Sequence, residues 1–230
     1  MKEIDNNIFR AYDIRGTYKI NIDEEVSYNI GKAYGSYMKK LNKDTCLVGY
    51  DNRLSSISLK ESLIKGVLET GVSVIELGLV TTPMFYYAKL FKGIYSGIMV
   101  TASHNPKDDN GFKMSFDTLN NAKGEEIADF KEFLHSKEFS EGKGTLSYFD
   151  IREEYIKLFK RCLDFKEKRL KVVIDCGNGT TSIIAKELYS IFPIELITMY
   201  DESDGSFPNH HPDPIVEENL IDLKKKVLEE

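Results

Sequence analysis

The residues best suited to chemistry are a serine directly after an apolar run and a lysine ten positions further on, Ser103 and Lys113. Residues 96–100 contain Ile, Met and Val, which predicts a short buried strand, and a polar segment with Pro106 and Gly111 follows. Ser103 would then lie just beyond the carboxyl end of a strand, where open α/β sheets form ligand sites. The alternative interpretation is an ordinary turn, because Ser and Asn near Pro and Gly often bond their own backbone.

Several stretches of the chain together carry a resemblance to a known family. They are Thr-Ala-Ser-His-Asn-Pro at 101–106, Asn-Gly-Phe-Lys at 110–113, Phe-Arg-Ala-Tyr-Asp-Ile-Arg-Gly at 9–16, Gly-Tyr-Asp-Asn-Arg-Leu-Ser at 49–55, Asp-Cys-Gly-Asn-Gly-Thr at 175–180 and Phe-Pro-Asn-His-His-Pro-Asp-Pro at 207–214. In order and spacing these stretches resemble the α-D-phosphohexomutases, in particular the phosphomannomutase/phosphoglucomutase branch. The resemblance covers nearly the whole chain.

The resemblance implies an enzyme that moves a phosphoryl group between Ser103 and a hexose. It would interconvert hexose 1-phosphate and hexose 6-phosphate, of mannose or glucose, through a 1,6-bisphosphate that also serves as activator. A serine phosphoester hydrolyses slowly in water, so it suits a form of the enzyme that must persist between turnovers. Mg²⁺ would bind Ser103 through its phosphate and offset charge on the transferring group.

The family motifs also assign roles to the neighbours of Ser103. Lys113 matches the general acid/base, and a lysine can act so when neighbouring cations or desolvation weaken its hold on the proton. The predicted catalytic residues are Ser103, Lys113, Arg15 and His104, and the predicted substrate-binding residues are Tyr12, Arg15, Ser103, Asn105 and Lys113. Without the resemblance, Arg15 beside Asp13 would be interpreted as a surface ion pair of little energetic value.

Strand and helix patterns alternate along the chain, which predicts the α/β class. We expect a mixed, largely parallel sheet with helices on both faces. The predicted strands of the first domain are 8–12, 45–50, 72–77, 96–100 and 111–116, and its helices are 23–41, 59–70, 83–90 and 125–134. Gly16 is predicted in a tight turn after the first strand, with Arg15 on that loop.

A charged, glycine-containing segment predicts a domain boundary near Asp150, so that residues 1–150 form the first domain and 151–230 the second. The second is predicted as a partial α/β domain of the same type, with helices 151–163, 180–192 and 215–228 and strands 171–175 and 193–200. The resemblance places the family's metal-binding loop and sugar-reading loop later than Glu230. We therefore expect the chain alone to lack mutase turnover, with a carboxyl-terminal half chain as its partner.

Composition and charge argue against several classes of protein. The net charge is −6 with acidic and basic residues interleaved, which argues against a nucleic-acid surface. No apolar run approaches the roughly 20 residues of a membrane span and no secretory apolar segment is visible, so we expect a cytoplasmic protein. Cys46, Cys162 and Cys176 are odd in number and widely spaced, which favours buried thiols over disulfides or a zinc site.

Three other functions are alternatives to the mutase. A serine hydrolase is suggested by the adjacent Ser103 and His104, but neighbouring side chains rarely face each other and no Gly-x-Ser-x-Gly elbow exists. A non-catalytic binding or assembly module remains open. So does a phosphoglucosamine mutase, which would share most of the first domain. His210 and His211 favour a structural role over a metal pair, and 177–179 favours a tight turn over a phosphate loop.

Overall fold

The computed structural model describes residues 4–163 and 170–230. The chain forms two compact units. The first comprises the described part of Met1–Ala102 together with Asp108–Asp150, and the second comprises Ser103–Lys107 together with the described part of Ile151–Glu230. Among the described residues, no helix is long and apolar enough to cross a membrane.

The first unit contains a mixed sheet, as predicted. Its strands are β1 (Ile14–Thr17), β2 (Thr45–Tyr50), β3 (Ser73–Leu79), β4 (Gly97–Val100), β5 (Asp109–Ser115) and β6 (Leu146–Tyr148). They lie in the order β1-β5-β4-β2-β3-β6. β2 is parallel to β3 and β4, and β3 is parallel to β6, whereas β5 is antiparallel to both β1 and β4. β6 is short and exposed, and the sequence did not predict it.

Helices cover both faces of this sheet because its central strands are apolar on both sides. The helices are α1 (Glu24–Lys40), α2 (Ser56–Leu68), α3 (Thr82–Lys92) and α4 (Glu125–Ser136). Cys46 and Val48 of β2 belong to one core with α1, α2 and α4. Leu47 lies between them in the strand, so Leu47 and Gly49 point to the opposite face of the sheet, toward α3. A side chain at Gly49 would meet Phe85 of that helix.

Local sequence explains where these helices begin and how closely they pack. Asp23 caps α1 by accepting a hydrogen bond from Val26 N at 2.9 Å, as predicted, and Thr81 caps α3 with proline in its first turn. α1 and α2 pack closely at two glycines. A Cβ on Gly31 would lie 2.2 Å from the Leu63 carbonyl oxygen, so this approach requires glycine.

Two predictions for the first unit and one for the cysteines are wrong. Residues 8–12 form no strand: a 3₁₀ turn ends at Ile8 and a tight turn joins Arg10 N to the Asp13 carbonyl at 2.8 Å. The first strand is β1, so Gly16 lies in a strand and not in a turn. Cys162 is exposed, whereas Cys46 and Cys176 are buried as predicted.

The second unit contains a two-stranded parallel sheet of β7 (Leu170–Asp175) and β8 (Ile194–Met199). Its helices are α5 (Arg152–Cys162), α6 (Ala185–Tyr189) and α7 (Ile221–Glu229). The predicted helix over 180–192 is instead a 3₁₀ turn, Thr180–Ile183, followed by the short α6. The predicted helix over 215–228 begins only at Ile221, after a second 3₁₀ turn.

A buried lysine ties α3 to the end of β5. The Lys89 ammonium donates hydrogen bonds to Ser115 Oγ at 2.6 Å, to the Thr118 carbonyl at 2.9 Å and to the Leu119 carbonyl at 2.7 Å. Three acceptors therefore meet the three donors of the ammonium. Burial nevertheless lowers the pKa of Lys89 to about 8, because desolvation disfavours the charged form.

This pKa predicts a specific pH dependence of stability. Between pH 8 and pH 10.5 the unfolded chain holds a proton on Lys89 that the folded chain releases, so the free energy of unfolding should rise with pH. The contribution is at most ~3 kcal/mol. Urea denaturation at several pH values should show this rise in the wild type and its loss in Lys89→Met. Identical pH profiles for the two proteins would contradict the assignment.

Candidate active site

The pairing of β1 with β5 brings together three charged side chains. Ile14 lies opposite Phe112 and Arg15 lies opposite Gly111 in this antiparallel ladder. The position before Ile14, Asp13, therefore lies across from Lys113. Since alternate residues of an extended segment point to the same side, Asp13, Arg15 and Lys113 share one face.

These side chains converge on a single oxygen atom. Asp13 Oδ2 lies 2.5 Å from Arg15 Nη2 and 3.0 Å from Lys113 Nζ. The exposed fractions of the side chains are 2% for Asp13, 18% for Arg15 and 14% for Lys113. The interpretation of Arg15 and Asp13 as a surface ion pair is therefore wrong. Arg15 also lies on a strand and not on a loop, which fixes its direction more firmly than a loop would.

The close approach of β1 to β5 depends on glycine at position 111. A Cβ there would lie 2.1 Å from the carbonyl oxygen of Ile14, a distance at which the strands would have to separate. The Gly111 nitrogen donates to Asn110 Oδ1 at 2.8 Å, and Thr17 Oγ1 donates to Asp109 Oδ1 at 2.9 Å. The Asn-Gly-Phe-Lys stretch thus sets the register that places Lys113 beside Asp13.

A buried polar network holds the start of β5 from the other side. Arg53 is buried, and its Nη1 donates to the carbonyl oxygen of Asp109 at 3.0 Å while its Nε lies 3.3 Å from Asp51 Oδ2. Ser56 Oγ donates to Asp51 Oδ1 at 2.5 Å, and Asn110 Nδ2 lies 3.0 Å from the same Ser56 oxygen. Burial lowers the pKa of Arg53, although the carboxylate of Asp51 opposes this shift. The stretch 49–55 therefore acts as a support for β5.

Ser103 belongs to the short segment Ser103–Lys107 that follows directly on Ala102. Its backbone has φ of 58°, in the left-handed region that a non-glycine residue rarely adopts. The side chain is exposed, and its Oγ lies 3.4 Å from His104 Nδ1. The expectation that these neighbours would not face each other is therefore wrong, although 3.4 Å is longer than the separation that a nucleophile and its base require.

The six predicted site residues fall into two groups. Tyr12, Arg15 and Lys113 belong to the first unit, and Ser103, His104 and Asn105 belong to the second. Within the first group the structure joins Arg15 to Lys113 through Asp13, while Tyr12 is 59% exposed on the turn before β1. Within the second group it joins Ser103 to His104. Asn105 is partly buried in the same segment.

Comparison with family models decides the affiliation of the chain. Residues 6–139 match the model described as phosphoglucomutase/phosphomannomutase, alpha/beta/alpha domain I, and residues 153–230 match the model of domain II. The chain belongs to the phosphoglucomutase/phosphomannomutase family. The predicted affiliation and the predicted fold class are both confirmed.

Individual relatives agree with this assignment. The chain is 43% identical over 226 residues to a phosphomannomutase/phosphoglucomutase of Pseudomonas syringae pv. tomato, covering 97% of this chain and 48% of that protein. It is 37% identical to a phosphoglucomutase of Neisseria meningitidis serogroup B, again covering 97% and 48%. A crystal structure of a phosphoglucomutase/phosphomannomutase family protein from Burkholderia thailandensis matches with a TM-score of 0.91 and 35% identity, covering 98% of this chain and 50% of that one.

The chain spans about half the length of the curated relatives it matches. In the part that matches the family's domain II, His210 contacts an acidic side chain and a backbone carbonyl. Its Nε2 lies 3.1 Å from Asp175 Oδ2 and its Nδ1 lies 2.9 Å from the His211 carbonyl. Within the described ranges there is no group of three or more His, Cys, Asp or Glu side chains that could hold a metal ion.

Sequence reasoning missed the supporting residues of the candidate site. Asp13, Asp51 and Arg53 lie within the family motifs, but the sequence predicts no catalytic or binding role for them. A usable signal existed for Asp13, because an Asp-x-Arg spacing puts both side chains on one face if the segment is extended. No local signal identifies the burial of Arg53, since a charged residue after a strand usually lies on the surface.

Proposed function

We propose that this chain carries the phosphoserine part of a hexose phosphate mutase site, which acts on mannose or glucose phosphates. The observation that carries the proposal is the convergence of Arg15, on β1, and Lys113, on β5, on the Asp13 carboxylate. Membership of the phosphoglucomutase/phosphomannomutase family supports the substrate class. Ser103 is the nucleophile that carries the phosphoryl group between turnovers.

The chemistry divides into two transfers. In the first, a hydroxyl oxygen of a hexose phosphate attacks the phosphorus of phosphoserine, the bond to Ser103 Oγ breaks, and Lys113 accepts the hydroxyl proton. The product is a hexose 1,6-bisphosphate. The bisphosphate then turns over in the site. In the second transfer, Ser103 Oγ, left deprotonated by the first, attacks the other phosphorus and the bond from that phosphorus to the sugar oxygen breaks. The Lys113 ammonium returns its proton to the departing sugar oxygen. Arg15 provides a fixed positive charge near the transferring group.

The proposed site also includes neighbouring side chains, a metal ion and a partner chain. Tyr12, His104 and Asn105 would contact the substrate or brace the phosphoserine segment. Mg²⁺ would bind through the phosphate on Ser103 and offset charge on the transferring group. The described residues contain no group of three or more His, Cys, Asp or Glu side chains that could hold the ion. A carboxyl-terminal half chain is the proposed partner for complete turnover.

Phosphate mapping tests the proposal. The chain is incubated with glucose 1,6-bisphosphate, mannose 1,6-bisphosphate or glucosamine 1,6-bisphosphate, with and without Mg²⁺, and is examined by intact mass and peptide mass spectrometry. We expect one phosphoryl group on Ser103 from the glucose or mannose compound. Phosphate on Ser55 or Ser115 with Ser103 bare would overturn the assignment.

The same experiment separates the alternatives. Transfer from the glucosamine compound alone would favour a phosphoglucosamine mutase. A chain that accepts phosphate from none of the three compounds, although it is folded, would favour a non-catalytic binding or assembly module.

A further inference from the structure

We infer that Asp13 is a positioning residue of the site, whose carboxylate holds the Lys113 ammonium and the Arg15 guanidinium together and offsets their mutual repulsion. The inference rests on the proposed function for the roles of Lys113 and Arg15. It adds a residue whose side chain is only 2% exposed.

The geometry directs the carboxylate of Asp13 toward these two cations. Oδ2 receives both Arg15 Nη2 and Lys113 Nζ. Oδ1 is buried and has no hydrogen-bond partner within residues 4–163 and 170–230. No other donor therefore competes for the carboxylate. A buried polar atom without a partner costs free energy, and a functional role is one reason for which such a cost is tolerated.

The two neighbours act on Lys113 in opposite senses. The Asp13 carboxylate attracts the Lys113 ammonium, whereas the Arg15 guanidinium, bound to the same oxygen, repels it. β4, on the other side of β5, places Met99 opposite Lys113 and contributes no charged side chain. Arg53 is a further cation that interacts electrostatically with Arg15. If Asp13 served only to stabilise the fold, replacing Asp13 and replacing Arg15 would not have opposite effects on Lys113.

Trace acetylation measures this balance without substrate. The full chain is treated with a small amount of acetic anhydride at pH 8, and the rate at each lysine is read by peptide mass spectrometry. In Asp13→Asn the acetylation rate of Lys113 should rise by about 10-fold or more, because an opposite charge at hydrogen-bond distance has been removed. In Arg15→Gln the rate should fall, because Lys113 then holds the carboxylate alone.

Two controls separate charge from structure. Asp13→Glu keeps the negative charge and should leave the Lys113 rate close to that of the wild type. Lys60 serves as an internal reference, because its Nζ lies 2.9 Å from Glu76 Oε1 in a separate, partly buried pair of the same unit. Its rate should not change in any variant.

The outcomes decide the inference. Lys113 rates that stay constant in Asp13→Asn and Arg15→Gln, or that rise in both together with Lys60 because the unit has loosened, overturn it. If Asp13→Asn does not fold, the predicted fall in Arg15→Gln still decides the matter, and an unchanged or increased rate overturns the inference. If Ser103 accepts phosphate but the acetylation rates do not respond to the substitutions, this inference alone is wrong. If the rates respond as expected but the chain never accepts phosphate, the proposed function is wrong.

Discussion

Replacing Ser103 by alanine should abolish phosphate incorporation from hexose 1,6-bisphosphates while leaving the fold intact. The side chain is exposed and lies outside the core, so its removal eliminates the only oxygen proposed to accept the phosphoryl group and little packing. Intact mass after incubation with glucose 1,6-bisphosphate measures the loss. A thermal melt of the same sample measures the fold.

A glycine variant provides the matched control for backbone effects. Because Ser103 has φ of 58°, alanine must hold a left-handed conformation that costs ~1–2 kcal/mol, whereas glycine adopts it freely. Ser103→Gly should therefore be at least as stable as Ser103→Ala and equally unable to accept phosphate. Retention of phosphate at another residue in either variant would show that Ser103 is not the acceptor.

Replacing Arg53 by methionine should destabilise the chain by ~3–5 kcal/mol, because one partner of a buried ion pair is removed and the Asp51 carboxylate remains. The substitution also takes away the hydrogen bond from Arg53 Nη1 to the Asp109 carbonyl at the start of β5. Urea denaturation followed by circular dichroism gives the change in the free energy of unfolding.

Arg10→Met is the matched surface control for this prediction. Arg10 is exposed on the turn before β1, so its replacement should change stability by no more than about 0.5 kcal/mol. Equal effects for the two substitutions would show that the network around Arg53 contributes little. Since Arg53 supports the register of β5, we also expect slower phosphate transfer in folded Arg53→Met.

The sequence by itself determined those elements whose cause is local. β2 has the predicted bounds, Thr45–Tyr50, because a short apolar run ends at a polar turn. α1 begins after Asp23, because a capping side chain and helical periodicity agree. The position of Ser103 after β4 and the family affiliation also follow from the sequence, because the order and spacing of the motifs can be read without knowledge of the fold.

The tertiary structure alone decided that Lys113 meets Asp13. Asp13 and Lys113 are 100 residues apart in sequence, and only the antiparallel register of β1 on β5 makes them neighbours. Residues 8–12 carry an apolar and aromatic pattern that favours a strand. Pairing with β5 nevertheless begins only at Ile14. Hydrogen bonds between distant strands, and the burial they impose on Asp13 and Arg53, leave no signal in the local pattern of residues.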